Sequence, residues 1–200
     1  MTLLAVAVAG RGLVPPDEPV FAADDEAPGN QATSVSSAGL TWELVVRTNV
    51  QRGMAEIWRA FAPTPLTNVA VTATLAQPTT SSITVVTFSG VDTSGINGSG
   101  AIGATRSANA STGAPTATLT TTRANSWVLG VGNDWDGATP RTVGSDQTKV
   151  HEFMPWVGAT FWMQRRTTAT PAAGTSVTIN DTAPTTHRYN LSIVEVLPRP

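Results

Sequence analysis

Apolar and polar positions alternate with a period of two along most of the chain. From Leu40 the pattern is regular: Leu40, Trp42, Leu44 and Val46 alternate with Thr41, Glu43, Val45 and Arg47, with one apolar exception. The stretch 68–76, NVAVTATLA, sets Val69, Val71, Ala73 and Leu75 on one face, with Thr72 and Thr74 on the other. Further strands are predicted at 3–9, 82–89, 115–122, 148–153, 159–165, 176–180 and 187–197, with a short one at 101–105. The segment 126–133 differs. Trp127, Val128, Leu129 and Val131 are interrupted only by Gly130. An apolar run of that kind suits a strand covered on both faces. It then opens into an acidic, aromatic loop, Asn133-Asp134-Trp135-Asp136-Gly137.

Two periods compete at 53–62. Met54, Ile57, Trp58 and Phe61 fit the spacing of a helix. As a strand, Ile57, Arg59 and Phe61 share one face. The strand reading is taken because every neighbouring segment is β, and local choices that agree with the global fold are favoured. About ten strands separated by turn signals predict an all-β chain: a two-sheet antiparallel sandwich, jelly-roll-like.

The arm before the sandwich breaks the pattern. Between Gly10 and Ala38, Pro15, Pro16, Pro19 and Pro28 exclude helix interiors and central strands. Asp17, Glu18, Asp24, Asp25 and Glu26 make it acidic. The expected organisation is residues 1–39 as an N-terminal strand and extended arm, and 40–200 as the sandwich. Few large apolar groups lie in the arm, so its ordering entropy must be offset by docking. Val20 and Phe21, with Asp24, Asp25 and Glu26, are the expected contacts with a neighbouring subunit. The first strand imitates a signal peptide, but no basic residue precedes it and the apolar part is only about eight residues long.

Composition narrows the function classes. The chain is 40% hydrophobic and 13% charged, which suits a packed core over disorder. A net charge of −2 gives no electrostatic reason to bind nucleic acid or an anionic membrane. Of twelve basic residues only Lys149 is a lysine, and cysteine is absent, which removes disulfides and thiolate chemistry.

No catalytic motif is present: neither HExxH, GxSxG, a phosphate loop nor a dinucleotide fingerprint. His151 and His187 sit in alternating strands. Asp134 and Asp136 could serve a glycosidase or a calcium ion, but they lack further acidic partners and read as turn formers that accept backbone hydrogen bonds. Asn180-Asp181-Thr182 reads as a turn ending a strand. No metal or cofactor is expected. The tryptophans offer a second reading. Trp42, Trp58, Trp127 and Trp162 lie in strand patterns and are assigned to the core. Trp135 and Trp156 lie in loops, where an exposed ring could stack on a sugar beside Asp134 and Asp136.

LTWELVVRTN (40–49), AEIWRAFAP (55–63), SWVLGVGNDWDG (126–137) and TSVTINDTAPTT (175–186) together resemble a β-sandwich domain of bacterial secreted and phage-related proteins. The resemblance implies a sandwich with a non-catalytic role and brings no site residues with it. GRGLVPPDEPVFAADDE (10–26) looks like the opening of class IV pyridoxal-phosphate aminotransferases and lyases, but no cofactor domain follows it. The expectation is therefore a non-enzymatic structural subunit with protein neighbours, homo-oligomeric, on a virion surface as a capsid-decoration or related protein. The alternative is an extracellular carbohydrate-binding module.

Overall fold

The computed structural model describes residues 2–12, 32–37 and 39–200, with backbone alone for 2–12, 32 and 33. The expected subunit contacts Val20, Phe21, Asp24, Asp25 and Glu26 lie outside the described residues. In chain order the strands are β1 (Thr2–Gly12), β2 (Ala32–Ser36), β3 (Trp42–Thr48), β4 (Met54–Ala62), β5 (Thr72–Leu75), β6 (Thr79–Ser89), β7 (Ile102–Ala110), β8 (Thr116–Thr120), β9 (Trp127–Asp134), β10 (Thr142–Val143), β11 (Gln147–Phe153), β12 (Thr160–Arg166), β13 (Ser176–Ala183) and β14 (Tyr189–Val196). One 3-10 turn, Ile96–Ala101, precedes β7.

The all-β expectation holds, and residues 54–62 are a strand. Two elements exceed the reading of the sequence. Part of the proline-rich arm region forms β2, which pairs with β5. β1 is an inner strand, paired with β4 on one side and β6 on the other.

A five-stranded sheet, ordered β11-β12-β9-β14-β7, lies at the centre. The four-stranded sheet β3-β4-β1-β6 packs on one face. There Ala55 and Ile57 meet Leu129, Val131, Met163, Val194 and Val196. The three-stranded sheet β10-β13-β8 packs on the other, where Leu119, Val177 and Ile179 meet Val128, Trp162, Leu191 and Ile193. The β2-β5 ribbon adds Val35, Val71 and Leu75 to Met54 and Trp58, on the outer side of the four-stranded sheet. The expected two-sheet sandwich is thus present with a further layer. That layer is why β9 and β14 are apolar on both faces.

Glycines in β9 make the close packing possible. A Cβ at Gly130 would stand 2.8 Å from Ile179 Cγ2 and 3.0 Å from Ile193 Cγ2. A Cβ at Gly132 would fall inside the indole of Trp162. That ring, fully buried, lies across the strand in the space the glycine leaves. Trp127, expected in the core, is only half-buried, with the Arg165 guanidinium 4.8 Å above its ring.

Buried polar groups tie the layers together. Ser192 Oγ donates to Ala55 O at 2.8 Å, and Thr48 Oγ1 donates to Leu191 O at 2.9 Å. Asn190, on β14, holds the β3–β4 turn. Its Oδ1 accepts from the amides of Val50 and Gln51, and its Nδ2 donates to Gln51 O and Gly53 O. On the opposite face, Glu195 accepts from the amides of Ala104 and Thr122 and from Thr122 Oγ1. Burial works to raise the Glu195 pKa, but these donors outweigh it and hold the carboxyl below its usual value.

Gly132→Ala should destabilise the protein by about 1–3 kcal/mol through overpacking against a rigid ring. Urea melts check this, and a change below about 0.5 kcal/mol would show that Trp162 does not need the space.

Candidate functional site

The C-terminal end of β9 delivers the acidic loop anticipated from the sequence. Asp134 is the last residue of β9 and lies opposite Tyr189 of β14 and Thr160 of β12. It is fully buried. Its Oδ1 accepts the amide of Asp136 at 2.7 Å, closing a tight turn. Its Oδ2 faces two basic residues, His187 with Nδ1 at 2.7 Å and the guanidinium of Arg141. Asp136 points the other way. Its Oδ1 accepts from Arg188 Nε at 2.6 Å and its Oδ2 from the Arg188 amide at 2.8 Å. The two carboxylates therefore act as turn formers and strand clamps, each matched by a residue of the 187–188 segment that leads into β14.

Arg141 is the centre of this region and is fully buried. It enters on the short run before β10. Its guanidinium lies 4.5 Å over the Trp162 ring, and its Nε and Nη1 find no hydrogen-bond partner. Burial lowers its pKa to about 10, against the pull of Asp181 and Glu152. The backbone around it is clamped by neighbours on β11: its amide donates to Glu152 Oε1 at 2.7 Å, and Lys149 Nζ donates to its carbonyl at 3.0 Å. Lys149 also pairs with Glu152 Oε2 at 2.8 Å.

Asp181 is the second buried acid here, 2% exposed. It is not in the turn the sequence suggested. It lies inside β13 and opposite Val143 of β10. Neither carboxylate oxygen has a hydrogen-bond partner, and the nearby Gln164 sends its amide hydrogens to Gln147 Oε1 and Asn180 O instead. Burial raises the Asp181 pKa to about 7, with Arg141 opposing. The cluster is an internal ionic network that fastens the β9 end, the β10 run and β13 to one another. Among the described residues no three His, Cys, Asp or Glu side chains converge on a point where a metal ion could sit.

The two loop tryptophans separate. Trp135 is 7% exposed, so its ring is not offered to a ligand. Trp156 is 77% exposed, in the turn after β11, with Phe153 and Met154 also at the surface. Trp135 and Asp134 are thus buried, the Asp136 carboxylate is held by Arg188, and Trp156 stands exposed. The residues the sequence reading missed are Arg141, Asp181 and Gln164. Their only signal was indirect: a lone arginine beside a proline and a polar pair in Thr-rich strands, with partners far away in the chain.

Among protein-family models, curated proteins and solved structures, none matches the chain.

Two predictions test the network. Arg141→Met leaves the Asp134 carboxylate buried without its guanidinium and should cost about 3–5 kcal/mol in denaturant melts. A loss under about 1 kcal/mol would show that His187 and the turn amide suffice. Asp181 carries a pH signature. Its folded pKa lies above the ordinary value of 3.8, so the folded chain holds that proton more tightly. Between about pH 4 and 7 the folded state binds more protons than the unfolded one, so stability falls as pH rises and levels off above that window. The contribution is a few kcal/mol, with an upper bound of about 4. In Asp181→Asn that slope should vanish. Parallel slopes in the two proteins between about pH 4 and 7 would contradict the assignment.

Proposed function

We propose that this chain is a non-enzymatic structural subunit, docking on a larger particle in the manner of a capsid-decoration or related virion surface protein. The observation that carries this reading is the turn after β11. Phe153, Met154 and Trp156 stand at the surface of one short segment, Trp156 at 77% exposure. The turn is closed by Gly158 N donating to Pro155 O at 3.1 Å. Large apolar side chains clustered outside a well-filled core mark a contact with another macromolecule. The charged groups at the β9 end support the same reading, because the Asp134 and Asp136 carboxylates are engaged by internal partners and serve the fold.

Immunogold electron microscopy of particles from the producing host should place the chain on the particle surface. Trp156→Ala should reduce co-sedimentation with those particles by tenfold or more, roughly what losing one aromatic anchor costs. Particles free of the chain, or unchanged co-sedimentation of the variant, would reject this role. A second reading rests on the same residue: the free face of Trp156 could stack on a sugar ring. Binding on a glycan array that Trp156→Ala abolishes would favour it.

A further inference from the structure

β6 is an edge strand of eleven residues, TTSSITVVTFS, paired with β1 along one side. It ends the order of the four-stranded sheet, so among the described residues its other backbone edge has no strand partner. Edge strands are normally guarded by charge, proline or brevity. The other edges of the two larger sheets follow that rule. β3 carries Glu43 and Arg47, β11 carries Lys149 and Glu152, and β7 carries Arg106. β6 has none of these devices. It holds no charged residue, no proline and no glycine, and is rich in β-branched residues.

Its two faces differ. Val86 and Phe88 pack inward on the core shared with the five-stranded sheet. Ile83 and Val85 face outward, 37% and 41% exposed. Val85 and Thr87 line a groove of about 440 Å³ with Ala62, Leu66 and Val71.

By strand alternation the positions on the outward face are Thr79, Ser81, Ile83, Val85, Thr87 and Ser89, of which the last four are exposed while the Thr79 hydroxyl is buried. By chemical class this series is the same in both directions: two hydroxyls, two aliphatics, two hydroxyls. An antiparallel copy with Thr84 on the two-fold axis sets Ile83 opposite Val85, Ser81 opposite Thr87 and Thr79 opposite Ser89. Like class thus meets like class along the whole face, and no charges oppose.

We infer that β6 is a self-pairing edge, and that two copies of this chain join through it in a two-fold, continuous eight-stranded sheet. Backbone hydrogen bonds supply the contact, and the Ile83–Val85 pairs fix the register. Such a contact is isologous and closes at two copies. It merges the two outer grooves and covers both exposed aliphatics. The inference stands apart from the role proposed above, because a self-pairing edge serves a particle subunit and a glycan-binding module equally.

Sedimentation equilibrium of the full chain tests it first. A monomer–dimer equilibrium is expected; a monomer at about 100 µM, far above the affinities of specific small interfaces, overturns the proposal. Val85→Lys, at an exposed position, should weaken the dimer at least tenfold, because the two ammonium groups become diagonal neighbours across the axis. Adding Ile83→Glu to that variant sets each introduced carboxylate opposite the partner's introduced lysine and should restore most of the loss. Failure of this restoration rejects the register. The chain has no cysteine, which permits a direct check. Under oxidation Thr84→Cys should cross-link two copies and Thr80→Cys should not. Equal cross-linking at both, or at neither, overturns the pairing, and circular dichroism of each variant confirms that the sheet is intact.

Discussion

The structure depends on covering the five-stranded sheet on both faces. β9 from Val128 onward and the whole of β14 run through its middle buried on both sides. Burial of that extent is favourable for Val128, Leu129, Leu191 and Ile193, at roughly 1.5–3 kcal/mol for each large aliphatic side chain. It also forbids any polar group there from relying on water, so each one needs an internal partner. Asn190, Ser192 and Glu195 are such groups, and their partners lie on other strands or turns. Asn190 holds the turn before β4, Ser192 bonds to β4, and Glu195 binds the start of β7 and the loop after β8. The constraint thus converts polar residues on the central strands into connectors between layers.

The same logic explains the charged end of β9. Asp134 is buried by the layer that covers its strand and cannot be left alone. Arg141 and His187 answer it, and Trp162 covers the guanidinium. Buried ion pairs of this type contribute little net stability but are costly to break. They act by fixing geometry. Here the fixed geometry is the meeting of β9 with the β10 run and the entry to β14. Asp181 is the one member left without hydrogen bonds, and burial accordingly shifts it toward its neutral form.

The surface completes the picture. The interior engages the acidic loop, and two groups of exposed apolar residues lie outside it: Trp156 with Phe153 and Met154 on one turn, Ile83 and Val85 on one edge. The two patches are chemically different. The turn offers side chains alone, which suits a contact of varied shape. The edge offers a regular row of backbone groups, a template on which another strand can pair.

The linear sequence by itself determined that the chain is all-β, because period-two alternation depends only on neighbours along a strand. It also determined that 128–133 is buried on both faces, though not that Trp127 before it stays half-buried, and that Asp134 and Asp136 shape a turn. It placed Trp162 in the core and offered Trp156 in a loop. Only the tertiary structure decided which partner each buried polar residue meets. Arg141 reaches Asp134 because three strands converge, and no local spacing encodes that. It also moved Asp181 from a turn into a strand, since pairing with β10 extends β13 beyond the point where the apolar alternation stops. Trp135, placed in a loop by its Asp and Gly neighbours, is buried by the fold of that loop. The exposed β6 edge was likewise out of reach. A strand's own residues show its two faces, but whether its backbone edge is covered depends on the order of strands in the sheet, which is set by contacts distant in the chain.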